Sequence, residues 1–181
     1  MDYEAVWYEM EECQRLWLAK CIRVSNFSCK KLQHILSIAK ILPSINQVEI
    51  SPVWQQRKLR ELYKPNDIVV TGYVVLGSSG AFWGSSRVLE SDVLKEIAEV
   101  KGKTVVQEGV SMVVKSFKKE RLEENLKIFD WSSTEEEKQR ISTAMPQCRT
   151  VVGDVYISEK GPTSNLSLKC GTARFDHFLL R

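Results

Sequence analysis

Apolar residues along the chain switch between two periods. Val6, Met10, Cys13 and Leu16 recur at helical spacing, which predicts an amphipathic helix that buries those four. Cys21-Ile22-Arg23-Val24 is a short apolar stretch that ends in Ser25-Asn26-Phe27. Leu32, Ile35, Leu36 and Ala39 return to a helical face. Pro43 separates that helix from residues 45–50, which read as a strand closed by Pro52. Leu59, Leu62 and Tyr63 mark a helix stopped at Pro65-Asn66.

The clearest strand is residues 68–75, whose β-branched run predicts burial on both faces. A loop carrying Gly77, Gly80 and Gly84 follows, then a helix on Val93, Leu94, Ile97 and Ala98 that ends near Gly102. Residues 110–114 form a fourth strand leading into Lys115-Ser116-Phe117. Leu122, Leu126 and Phe129 stripe the next helix, and Ser133-Thr134-Glu135-Glu136 resembles a capping box opening one more. After Pro146 the pattern fades. The order α-β-α-β-α-β-α-β-α-α predicts an α/β fold with a parallel sheet of right-handed βαβ units. A closed (β/α)8 barrel takes about 250 residues. The expectation is therefore a partial TIM barrel of about four parallel strands with flanking helices.

Composition narrows the class. The chain has 181 residues, with 26 Lys plus Arg against 23 Asp plus Glu, a net charge of +3. That balance is too small and too dispersed to argue for a nucleic-acid partner or a membrane surface. No apolar run approaches the ~18 residues of a membrane span. Met1-Asp2-Tyr3-Glu4-Ala5 is acidic where an export signal would be basic, so the expected location is cytoplasmic. Cys13, Cys21, Cys29, Cys148 and Cys170 form no CxxC pair and fit reduced thiols. His34 and His177 stand apart from any ligand-spaced cluster, and no metal site is expected.

Ligands of parallel α/β sheets bind at the carboxyl ends of the strands. After the first strand come Ser25 and Asn26, able to hydrogen-bond an amide but equally ordinary turn residues. Gln47 shares a strand face with Ile45 and Glu49, and Glu49 reads as a buried, hydrogen-bonded structural group. Tyr73 ends the third strand, where an aromatic stacks on a flat heterocycle or simply packs. Gly77-Ser78-Ser79-Gly80 can offer backbone N–H groups to a phosphate, or be a flexible surface loop. Lys115, Ser116 and Arg121 lie where a strand feeds a helix N-terminus, a ready anion site, although a solvated basic turn has the same composition. No nucleophile–base pair and no isolated carboxylate pair is visible.

Taken together, Val24-Ser25-Asn26-Phe27, Asn46-Gln47-Val48-Glu49 with Pro52, and Val113-Val114-Lys115-Ser116-Phe117 with Arg121, Glu124 and Asn125 resemble the aldo-keto reductases. Met10-Glu11-Glu12-Cys13-Gln14, Val53-Trp54-Gln55-Gln56 and Leu94-Lys95-Glu96-Ile97-Ala98 are similar to the plant branch, with its chalcone-, codeinone- and methylecgonone-type reductases. The resemblance runs from about residue 4 to 162 and implies the second half of an NADP(H)-dependent barrel that reduces a small-molecule ketone or aldehyde. It implies that Ser25, Asn26 and Gln47 hold the nicotinamide carboxamide and that Tyr73 stacks on its ring. Leu76 and Gly77 would begin the loop over the pyrophosphate. Lys115, Ser116 and Arg121 would take the 2′-phosphate side, Glu124 and Asn125 the adenine, with Phe117 a further cofactor-binding residue.

Departures from the family pattern shape the functional expectation. The family's Asp, Tyr, Lys and His tetrad belongs to its first half, so no catalytic residue is assigned and the fragment is expected to be inactive alone. Arg23 replaces a family glycine, Val74-Val75 replaces Ser-Pro, and most of a helix is missing between Gln107 and Glu108. Residues 1–162 are the expected reductase portion and 163–181 a divergent tail. The alternative is a non-catalytic half barrel with residual NADPH binding, an apolar inner face, and self-association through open sheet edges.

Overall fold

The computed structural model describes residues 2–81, 84–102, 111–113, 116–127 and 132–151. Helices and strands alternate in the expected order: α1 Tyr3–Arg15, β1 Arg23–Ser25, α2 Cys29–Ile38, β2 Ile45–Glu49, α3 Arg57–Tyr63, β3 Val69–Tyr73, α4 Arg87–Glu90, α5 Asp92–Lys101, β4 Ser111–Met112, α6 Lys119–Leu126 and α7 Glu135–Ala144. The strand order is β1-β2-β3-β4. β1 and β2 are parallel, pairing Arg23 with Ile45, Val24 with Asn46 and Ser25 with Gln47. Sequential strands side by side with a helix between them are the repeating unit of an α/β barrel. No described helix is long and apolar enough to cross a membrane.

The described chain clusters into two compact units, one of residues 2–48 and 56–71, the other of 49–55 and 72–151. The proposed boundary at residue 162 lies outside the described residues. In the first unit Trp7, Ile22, Val24, Leu32, Ile35, Val48, Leu59, Tyr63 and Ile68 form one core. Val24 and Val48 join the helices there, and the buried Asn46 donates to the Tyr63 hydroxyl at 2.5 Å. Strand alternation therefore turns Arg23, Ser25, Ile45 and Gln47 to the opposite face. In the second unit Val53, Val88, Leu94 and Met145 make a smaller core, with Leu76 and Ile141 against it. Lys101 reaches Glu137 at 3.3 Å, and Arg140 pairs with Glu96, joining α5 to α7.

Several expectations are corrected. The buried residues of α1 are Trp7 and Glu11, while Val6 and Leu16 are half exposed. Glu11 is buried because its carboxylate accepts the Lys40 and Ile41 N–H groups at 2.7 and 2.9 Å, ends that follow α2 and lack helical partners. The third strand is not buried on both faces. Val69 is 51% exposed, and the strand stops at Tyr73 because Val74 turns left-handed at φ +58°. The face opposite the helices in the first unit is not apolar, since Arg23, Ser25 and Gln47 line it. Leu122 and Leu126 of α6 are exposed rather than buried. The capping box sits one residue later than read, between Thr134 and Glu137. α4 carried no clear signal in the sequence. Phe129, Val110 and Val114 lie outside the described residues.

Candidate functional site

In the first unit, the carboxyl ends of β1 and β2 meet at a single carbonyl. The Ser25 hydroxyl donates to the Gln47 oxygen at 3.0 Å, and the Asn26 N–H donates to the same oxygen at 2.9 Å. Asn26 holds φ +58°, a left-handed turn that asparagine tolerates better than most residues. The next residue is fixed as well. Asn46 accepts from the Phe27 N–H at 3.4 Å and donates to the Phe27 carbonyl at 3.0 Å. Burial pushes the Tyr63 hydroxyl well above its ordinary range, with the Asn46 amide opposing, so that pair stays neutral and holds the turn. Ser25 and Asn26 are thus exposed, and Gln47 half-buried, on a strand end whose backbone is locked from beneath. Sequence reading did not assign Asn46 this role, because a lone strand asparagine carries no signal for its partner.

In the second unit, Tyr73 ends β3, its carbonyl accepting the Ile50 N–H at 3.3 Å. The following loop is tied at its base. The Ser85 N–H donates to the Gly77 carbonyl at 2.7 Å and the Gly77 N–H to the Val74 carbonyl at 3.0 Å. Gly77 is at φ +80°, and a Cβ there would fall 2.3 Å from the Ser85 oxygen, so glycine is required by both backbone and space. Leu76 packs against the second core and anchors the loop.

The segment after β4 reaches β3 through the Val113 N–H, which donates to the Gly72 carbonyl at 2.9 Å. Lys115 lies outside the described residues. The Ser116 hydroxyl accepts the Lys118 N–H at 3.1 Å just before α6 begins. Lys118, at the N-cap, gives no side-chain cap, so the first-turn N–H groups of α6 have no side-chain acceptor from that position. Phe117, Arg121 and Glu124 are exposed and Asn125 is half-buried. Arg121 stands in the first turn of α6, with Glu124 and Asn125 one turn on. In the first unit, the amide and hydroxyl groups at the strand ends can hydrogen-bond a polar group; in the second, the Arg121 guanidinium near the start of α6 can bind an anion. Among the described residues no cluster able to hold a metal ion is present.

Glu49 follows Gln47 by two residues but serves another purpose. It is fully buried and accepts hydrogen bonds from Arg149, Thr150 and Val151. Burial raises its pKa, and the bonds from Thr150, Arg149 and Val151 oppose that rise.

Strands side by side with helices between them define an α/β architecture. The chain belongs to the aldo/keto reductase family, whose model matches residues 1–145. Its described strands and helices form a partial (β/α)8 barrel. It is 53% identical over 169 residues to the (1S)-1,7-diacetoxy-luvungin A aldo-keto reductase of Citrus sinensis, covering 89% of this chain and 53% of that protein. It is 51% identical over 170 residues to the NADPH-dependent codeinone reductase 1-4 of Papaver somniferum, covering 90% and 53%. Among solved structures it is similar to the aldo-keto reductase AKR2E4 of Bombyx mori in complex with NADP, at 27% identity and a TM-score of 0.75, covering 86% of this chain and 55% of that one. AKR2E5 complexed with NADPH superposes with a TM-score of 0.78 at 25% identity, covering 96% and 56%. The chain spans about half the length of the curated relatives it matches.

Proposed function

We propose that this chain supplies the NADP(H)-binding half of an oxidoreductase that converts a small ketone or aldehyde to an alcohol. The observation that carries the reading is the locked strand end at Ser25, Asn26 and Gln47, which offers hydroxyl and amide groups suited to a carboxamide. The donor set fits the cofactor. Ser25, Asn26 and Gln47 take the nicotinamide amide, Tyr73 stacks on the ring, and Leu76 and Gly77 pass beside the pyrophosphate. Lys115, Ser116 and Arg121 take the 2′-phosphate, Glu124 and Asn125 the adenine, and Phe117 is a further cofactor-binding residue. When bound, the cofactor supplies the hydride; these residues orient it and discriminate its phosphate. A cytoplasmic setting accords with cysteines that form no disulfide among the described residues.

We infer that the residues named for the cofactor bind it and that none of them supplies the proton for the carbonyl oxygen, so the chain alone is expected to bind NADPH without reducing a carbonyl. Residues 1–162 form the reductase portion and 163–181 a divergent tail. Among the described residues β1 and β4 are the outer strands of the sheet, and such edge strands favour self-association. Fluorescence titration tests the cofactor role. Arg121→Ala is expected to weaken NADPH binding roughly tenfold and leave NADH unchanged, since only the former has the phosphate that a guanidinium rewards. Equal losses for both, or steady NADPH consumption by the pure chain with a panel of carbonyls, would overturn the reading.

A further inference from the structure

The segment that leaves α7 lies along the turn after β2 through a set of bonds that the cofactor reading does not use. The Gln55 N–H donates to the Gln147 side-chain oxygen at 2.7 Å, and the Gln147 side-chain amide donates to the Pro52 carbonyl at 3.3 Å. The Cys148 N–H donates to the Val53 carbonyl at 2.6 Å. Beyond them Glu49 takes the Arg149 Nε at 3.2 Å, the Val151 N–H at 3.1 Å and the Thr150 N–H. These three donors to one carboxylate come from three consecutive residues. The Glu49 side chain is 0% exposed and that of Arg149 16%.

A fully buried carboxylate with three donors is costly to leave unpaired and strong when paired. Two of the donors are backbone amides, so the carboxylate fixes the path of the chain and not merely one side chain. Glu49 is the last residue of β2, at the carboxyl end where parallel α/β sheets receive their ligands. We propose that residues 147–151 form a releasable strap across the carboxyl end of β2 and that the Glu49 carboxylate is its lock. Pro52, Val53, Gln55 and Gln147 set the strap's register, and Glu49 sets whether it stays closed. An amide cannot replace the carboxylate: it keeps one acceptor oxygen and turns an NH2 group toward donors.

Hydrogen exchange on the full chain tests the lock. In Glu49→Gln the Thr150 and Val151 amides are expected to exchange about tenfold faster or more, as loss of a charged acceptor implies. Trypsin should cut after Arg149 correspondingly faster, while α2 amides keep their rates. Wild-type exchange at Thr150 and Val151 in that variant would overturn the proposal. If E49Q instead accelerates exchange throughout the chain, Arg149→Gln decides, because it removes one donor and leaves Glu49 and both amides in place. Acceleration confined to residues 149–151 supports the lock; unaltered rates there refute it.

Discussion

Trp17 occupies a position that its side chain does not suit. The Trp17 N–H donates to the Gln14 carbonyl at 3.0 Å and the Leu18 N–H to the Cys13 carbonyl at 2.9 Å, the paired closure of a helix end whose pivot residue is left-handed. Trp17 is that pivot, at φ +61°, and its side chain is 89% exposed. The indole therefore carries backbone strain with little burial to offset it. Trp17→Gly is expected to stabilise the chain by about 1 kcal/mol, read from the urea midpoint at unchanged slope. A lower midpoint would show that the indole contributes packing that its exposure does not reveal. Glycine requirements follow the same logic at Gly77, where space as well as φ excludes a side chain. The loop's glycines were legible in the sequence, but the crossing that demands Gly77 was not, because Ser85 approaches only after the loop folds back.

At the scale of the element, period told more than polarity. α2 buries Leu32 and Ile35 as the spacing requires, and α5 ends on Gly102 at φ +60°. α1 rotated away from its apparent stripe because a tryptophan and a hydrogen-bonded glutamate outweigh smaller apolar residues in choosing the face. No pattern counts a buried carboxylate as core, since its partners, at Lys40 and Ile41, lie about thirty residues on. α7 opens with the Thr134 N–H donating to the Glu137 carboxylate at 2.7 Å and the Glu137 N–H donating to the Thr134 hydroxyl at 3.2 Å. The Thr134 backbone bond, with Lys101 beside it, holds the Glu137 carboxyl below the usual carboxylate range. A depressed folded value means the contribution is present above the ordinary glutamate pKa and is lost as pH falls through the lower one. Protection of the Thr134 amide, taken as its exchange relative to the unfolded peptide at the same pH, is thus expected to hold near neutrality and to fall below the ordinary carboxylate range. Glu137→Gln should flatten that dependence. An equally steep acid response in the variant would assign it to another group.

For the whole molecule, the alternation of strands and helices was legible as an α/β sheet with its strands side by side in chain order. Burial across the sheet was less legible, because β-branched residues have the same appearance whether or not something covers them. Arg23 shows the consequence. It shares the face opposite the helices with Ser25, Ile45 and Gln47, and it is exposed. In a closed barrel that face is packed with branched apolar side chains, where an unpaired guanidinium would cost several kcal/mol. An exposed Arg23 is instead nearly neutral in energy. It also makes that face a poor apolar interface, so the proposed self-association would run through β1 and β4, the outer strands among the described residues. Sedimentation should therefore show the mass of the 20.8 kDa chain rising with concentration. Arg23→Ala should leave both this dependence and, within about 0.5 kcal/mol, the stability unchanged. A chain that stays monomeric at every concentration would remove the edge-pairing proposal. A variant that associates far more strongly would move the contact from the edges to the face, because deleting the charge would then have opened an apolar surface to a second copy.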